Sequence, residues 1–230
     1  MILFENVYNK AINLFEDPKI KKAYLTNKIQ FCKLMYPFLN SSYSLFNNPS
    51  FVGVELSNVK DPSGQMEIFD ADGNNKKFTL SFTPIENSIF EYKQNGKVVE
   101  GIFNKDENSI EFPDVLEEGE YSCEVYFPGC FLSDFNFAYR DDLIQGNITK
   151  IEDVLARMLV RAWGERTRNF LLDIQNILTT TDFKLHPASN ALKSKVEWMS
   201  QLEQEISRLQ NKLAFNVRFA RNSNWGKRSW

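Results

Sequence analysis

The 230-residue sequence predicts an α+β, multidomain protein: a helical body built from both ends of the chain, with an antiparallel β-sandwich inserted between them. Three observations lead there. Apolar residues recur at helical spacing near the N-terminus and again over residues 149–213. Between Phe51 and Phe127 the texture changes to short alternating segments separated by turn residues. The net charge of −3 is also uneven: +3 over residues 1–54, −10 over 55–130 and +4 over 131–230. The acidic stretch coincides with the change of periodicity.

Composition sets the class. With 43% hydrophobic and 25% charged residues, the chain can bury a core and is too apolar for disorder. No run approaches the roughly 20 apolar residues a spanning helix needs. Met1-Ile2-Leu3-Phe4-Glu5 lacks the basic start of a signal peptide, so synthesis in a cytoplasm is expected. Cys32, Cys123 and Cys130 are an odd count without C-x-x-C spacing, and with one His a structural zinc site is not expected. The spacing of Cys123 and Cys130 is compatible with a disulfide, but reduced thiols are the expectation in that compartment.

Taken in order, Leu3, Val7, Ala11, Leu14 and Phe15 predict a first helix over 2–17. Asp17 is a candidate N-cap and Pro18 suits the first turn of a second helix. That helix runs through Ile20, Ala23, Tyr24, Ile29, Phe31, Leu34 and Met35 and weakens at Pro37. Asn40–Ser50 reads as a loop, with room for one turn at Tyr43–Phe46. Seven strands follow: Phe51–Leu56, Gln65–Phe69, Phe78–Phe82, Ile89–Tyr92, Val98–Phe103, Ile110–Phe112 and Tyr121–Phe127. Asn95-Gly96 is the strongest turn signal among them, because a type I′ hairpin turn needs positive φ at both central residues.

Pro128-Gly129 ends the sandwich, and Phe131–Gly146 is a linker or a closing strand. Thr149 with Glu152 forms a candidate capping box for a long helix carrying Ile151, Leu155, Met158, Leu159, Ala162 and Trp163. Gly164 weakens its middle; unbroken to Thr179, it would be about 46 Å long at ~1.5 Å per residue. A break at Thr179–Asp182 and His186-Pro187 precedes the last helix, which starts at Ser189 or Asn190. Its stripe is Leu192, Val196, Met199, Leu202, Ile206, Leu209 and Leu213, with a charged opposite face. The expected units are therefore 1–48 (N-terminal helical segment), 49–131 (sandwich insert), 132–214 (helical hairpin packing on 1–48) and 215–230 (basic aromatic arm).

Candidate chemistry is sparse. Asp70-Ala71-Asp72-Gly73-Asn74 glances at a calcium loop, but the Gly comes two positions early and Ser81 stands where Glu is needed, so a turn is expected. His186 is the single imidazole and reads as a loop or helix-entry residue. No Ser lies in a nucleophile elbow and no Gly-rich phosphate loop exists. No catalytic, cofactor-binding or metal-ligating residue is expected.

Two basic features read as interfaces. Arg157 and Arg161, with Arg166 and Arg168 beyond, fall near one helix face; that face is either solvated and paired with Asp153 and Glu165, or presented to a partner or phosphate. After Glu205 no acid remains, and Arg208, Lys212, Arg218, Arg221, Lys227 and Arg228 interleave with Phe215, Phe219, Trp225 and Trp230. Such an end binds nucleic acid or docks on an acidic protein surface, for instance the −10 stretch of a neighbouring copy.

Two resemblances follow. Glu117, Gly119, Tyr121 and Cys123 resemble the E–F corner of immunoglobulin-like domains, where a Tyr closes the corner. No early-strand Cys pairs with Cys123 and no core Trp is present; Phe90 takes that place. The stretches Phe4–Ala11 and Phe170–Trp198, with the order of parts, resemble virion neck proteins of tailed bacteriophages, the helical adaptor or ring proteins beneath the portal. The resemblance implies a structural, non-enzymatic head-to-tail connector in the virion neck, made in the host cytoplasm. It implies a homo-oligomeric ring around the DNA channel, contacting portal and other neck or tail proteins, with non-specific DNA contact and no membrane. The alternative is an immunoglobulin-like adhesion or carbohydrate-binding module anchored by its helices.

Overall fold

The computed structural model describes residues 1–46, 56–133, 141–179 and 186–223; side chains at 57–59, 132–133, 141–146, 170–179, 186–191 and 217–223 are not described. The chain is mixed α and β, with antiparallel sheets between two helical segments.

Strand β1 (Ile2–Leu3) runs directly into helix α1 (Phe4–Leu14), whose buried residues Phe4, Val7, Tyr8 and Ala11 are spaced three and four apart. Helix α2 (Pro18–Thr26) begins as expected, with the Asp17 carboxylate accepting the Lys19 N–H at 2.8 Å and Pro18 in the first turn. The single long helix expected to follow is instead two. Asn27 interrupts it, and its side-chain oxygen accepts the Gln30 N–H at 2.8 Å, capping helix α3 (Lys28–Phe46). Nor does the helix give way at Pro37. It continues through the predicted loop to Phe46, because Leu39, Ser42 and Phe46 are buried and their packing outweighs one missing hydrogen bond. Residues 51–55 of the first expected strand lie outside the described residues.

Beyond them, β2 (Leu56–Lys60) and β3 (Ser63–Ala71) run antiparallel to β10 (Cys130–Ser133) and β9 (Gly119–Phe127). Together they form a two-stranded ribbon bent at Asp61-Pro62 and Pro128-Gly129. Its base is pinned to the helices. β1 pairs with β10, the Phe4 N–H donates to the Gly129 carbonyl at 3.1 Å, and the Phe131 ring lies 4.5 Å from Phe4 and 4.7 Å from Tyr43. Gly129 has φ of +99°, and a Cβ there would meet the Phe4 ring at 2.6 Å and the Lys60 carbonyl at 2.9 Å. The bend therefore demands glycine.

The far half of the ribbon joins a four-stranded sheet in the order β3-β9-β5-β6, where β5 is Ile89–Gln94 and β6 is Lys97–Val99. A second sheet, β4-β8-β7, consists of β4 (Lys77–Thr79), β7 (Ile102–Asn104) and β8 (Ser109–Glu111). The two sheets share one core around Ile110, Phe112, Tyr121 and Cys123, filled by stacked rings such as Phe69–Phe78 at 4.3 Å and Phe90–Phe103 at 4.5 Å. Asn95 and Gly96 both have positive φ, at 49° and 77°, and turn β5 into β6 as expected. The single strand expected over Val98–Phe103 is two, because the chain crosses between sheets at Glu100-Gly101.

Helix α4 (Asp141–Thr179) begins eight residues before Thr149 and is roughly 58 Å long at ~1.5 Å per residue. The expected capping box is absent for that reason. Thr149 lies inside the helix, and the buried Glu152 instead accepts from Asn6 at 3.0 Å and pairs with Lys10 at 3.3 Å. Seven buried apolar residues from Ile151 to Val160 face several sides at once, since α1, α3 and helix α5 (His186–Ser223) all pack on α4. Gly164 lets the hairpin close, because a Cβ there would meet the Trp198 ring at 2.8 Å. Met199, Leu202, Ile206 and Leu213 form the buried stripe of α5; Val196, expected in it, is 46% exposed. The boundary expected at 214/215 falls within α5, which continues to Ser223. No helix among the described residues is long and apolar enough to cross a membrane.

Candidate interaction surface

The hairpin of α4 and α5 commits Glu165, Glu203 and Glu205 to its own arginines, and Glu152 and Asp153 to Lys10 of α1. Arg157 Nε donates to Glu205 at 2.9 Å, and another of its nitrogens donates to the Asp153 carbonyl at 3.2 Å. Arg161 bridges Glu203 at 2.8 Å and Glu165 at 3.0 Å. These two arginines therefore tie α4 to α5; of the partners expected from sequence, Arg161 takes the Glu165 carboxylate, whereas Arg157 reaches only the Asp153 carbonyl. Arg166 lies over the Phe38 and Trp163 rings, at 5.8 and 5.9 Å.

What remains is a basic face. Ser200, Gln204, Ser207 and Asn211 run along α5 three and four residues apart, flanked by Arg208, Lys212 and Phe215. Lys150 of α4 completes an open groove of about 930 Å³. Glu203 also lines it but is held by Arg161. Among the described residues no carboxylate lies within ion-pair distance of Arg208, Lys212 or Lys150, and Arg208 and Lys212 are exposed. Phe215 is 67% exposed. Three of the expected interface residues are thus brought together. Arg218, Phe219 and Arg221 continue the same helix with side chains not described, and Trp225, Lys227, Arg228 and Trp230 lie outside the described residues. Lys150 and the neutral stripe were missed, since only the antiparallel return of α5 brings Lys150 beside residue 212.

The opposite charge gathers at the far end of the ribbon. Asp114, Glu117, Glu118 and Glu120 are exposed and join no ion pair among the described residues. Asp70 stands directly across from Glu120 in the β3–β9 register. Lys76 approaches this tip but donates to the Pro113 carbonyl at 3.2 Å. Nearer the helices, Glu91 and Glu124 also face each other, yet Lys93 pairs with Glu91 and Lys33 of α3 reaches Glu124 at 2.6 Å. Tyr36 donates to Asp61 at 2.6 Å on the same side, so the ribbon base is electrostatically closed and its tip is not.

The thiols and the Asp70–Asn74 turn can be placed. Burial pushes the Cys32 and Cys123 thiols up to about 12, the reverse of what an activated nucleophile requires. All three cysteines are free. Asp72 accepts the Asn74 and Asn75 backbone N–H groups, and the first of these bonds lowers its pKa. It is a turn residue, and among the described residues no group of acids, His or Cys could hold a metal ion. A second cleft, about 500 Å³, lies between the end of α2 and strands β5–β6, beside the exposed Leu25, Val98 and Ile102. Set against known protein families and characterised proteins, the chain matches none.

Proposed function

We propose that this chain is a structural subunit of a tailed-bacteriophage virion: a head-to-tail connector of the neck, assembling as a homo-oligomeric ring below the portal around the DNA channel. The observation that carries the reading is the division of labour between its parts. Helix α4, of 39 residues, packs on α1 and α3, and α5, of 38, packs on α4 and presents a basic face. A separate acidic lobe is carried outward on a two-stranded ribbon. Long helices bracing a ring, with lobes projecting from it, use such a division; a catalytic role is not part of the reading.

Within it, the lobe is an immunoglobulin-like sandwich. Strands β4, β8 and β7 correspond to B, E and D of that fold, and β9, β5 and β6 to F, C and C′. Tyr121 then stands near the start of F, two residues before Cys123, as the E–F corner requires. Strand β3 fills the place of G, although it precedes B in the chain. That permutation lets the lobe enter and leave the body through one ribbon.

The adhesion or carbohydrate-binding alternative has less support, because rings of the lobe such as Phe69, Phe78, Phe90 and Phe103 stack on one another across its core. Quantitative mass spectrometry of purified particles tests the proposal: the chain is expected at several copies per portal assembly. Its absence from particles, with reproducible glycan-array binding by the full chain, would favour the alternative.

A further inference from the structure

We infer that the basic face of α5 is a docking site for the acidic ribbon tip of a second copy, so that copies join head to tail. This takes its setting from the ring reading above. Its content comes from two sets of charges left open in one chain.

The first set is the groove: Lys150, Arg208 and Lys212 beside a neutral stripe of Ser, Gln and Asn, with the nearby Glu205 and Glu203 already held by Arg157 and Arg161. The second is the tip. Like charges directly opposite on neighbouring strands are destabilising, and the molecule answers this where it can. Glu91 and Glu124 are opposed, and Lys93 and Lys33 neutralise them. Asp70 and Glu120 are opposed in the same way, with Asp114, Glu117 and Glu118 close by in sequence, and no lysine or arginine among the described residues pairs with them. A docked basic surface would supply the cations that the described residues do not.

Geometry favours a second copy as their source. From Ser63 to Ala71 the ribbon carries the tip roughly 27 Å outward at ~3.4 Å per residue. Groove and tip are different surfaces, so their pairing is heterologous, the kind of contact that closes into a ring when its rotation permits. A polyanionic nucleic acid would satisfy the groove alone. It would leave Asp70 and Glu120 as they are. An acidic protein surface answers both sets at once.

Charge reversal of the full-length chain tests this through sedimentation velocity at low salt, ~50 mM, where surface electrostatics are least screened. R208E/K212E alone and E117K/E118K alone should each weaken self-association about tenfold or more, by like-charge repulsion. All four positions are exposed, and circular dichroism verifies that each variant is folded. An equimolar mixture of the two variants should assemble again, since each reversed groove then meets a reversed tip. Wild-type association should fall as salt rises. The inference is overturned if the chain does not self-associate, if either variant assembles like wild type, or if the mixture stays apart. It is also overturned if R208E/K212E loses binding to duplex DNA in a mobility shift while self-association is unchanged. A ring in particles that survives R208E/K212E overturns the docking and leaves the connector reading intact; absence from particles does the reverse.

Discussion

The helical body and the β lobe solve the same problem, burying apolar surface in a chain of moderate hydrophobicity, in opposite ways. The body mixes aliphatic side chains with rings such as Tyr8, Phe31 and Phe46 on helices that pack from several directions, and it pairs its charges wherever helices meet: Lys10 with Glu152 and Asp153, Arg157 with Glu205, Arg161 with Glu203. The lobe uses stacked aromatic rings between two small sheets and, although Lys77 pairs with Glu107 and Lys105 with Glu86, leaves the acids of its tip open. The difference teaches where each part ends. Charges are compensated where helix meets helix and at the ribbon base, and are left open along α5 and at the tip, where the proposed contact falls.

The comparison can be broken at the joint. Phe131 packs against Phe4 and Tyr43, fully buried, so Phe131→Ala should cost about 3–5 kcal/mol in urea unfolding, the largest single effect expected. A wild-type midpoint in that variant would mean the ribbon base contributes nothing. Either core can then be sampled alone. Leu159→Ala in the body and Ile110→Ala in the lobe, both at 0% exposure, should each cost roughly 2–5 kcal/mol. Far-UV circular dichroism reports helix loss most strongly for the first.

Alkaline pH gives a smaller, graded effect. Cys32 titrates near 9 when unfolded and is pushed up to about 12 by burial, so the folded state holds its proton where the unfolded state has lost it. Its contribution is complete below pH 9 and is lost as pH rises toward 12. Tm should therefore fall across that window, and the fall should be shallower in Cys32→Ala. An unchanged slope would show that the thiol is not sealed in the core. At the lower end, Arg161→Ala removes exposed ion pairs between α4 and α5 and should cost only about 0.2–1 kcal/mol.

Much of this architecture was legible in the sequence where a signal is local. Asp17-Pro18 marks a helix start, and Asn95-Gly96 marks a hairpin, because each acts on its own backbone within two residues. Signals failed where distant packing decides. Asn27 looks like a helix-interior residue until its side chain is seen capping α3, and Pro37 looks like a stop until the burial of Leu39 and Phe46 is known. Thr149 and Glu152 have capping-box spacing, yet Asn6 and Lys10 claim that carboxylate from 140 residues away or more. Strand β1 is two residues long and exists only because β10 returns beside it. The basic face was half legible: Arg208, Lys212 and Phe215 stand on one helix, whereas Lys150 joins them only through the hairpin. The tip acids were visible as an excess; their pairing across strands was not.

The central claim is that the chain is a repeated structural element of the virion neck. Single-particle imaging of purified tailed-phage particles whose genome carries this sequence tests that most directly. The account predicts a ring of equivalent copies directly beneath the portal, into which the α4–α5 hairpin and the projecting lobe fit as solid density. A collar region fully explained by other proteins, with this chain nowhere in the particle, would contradict it.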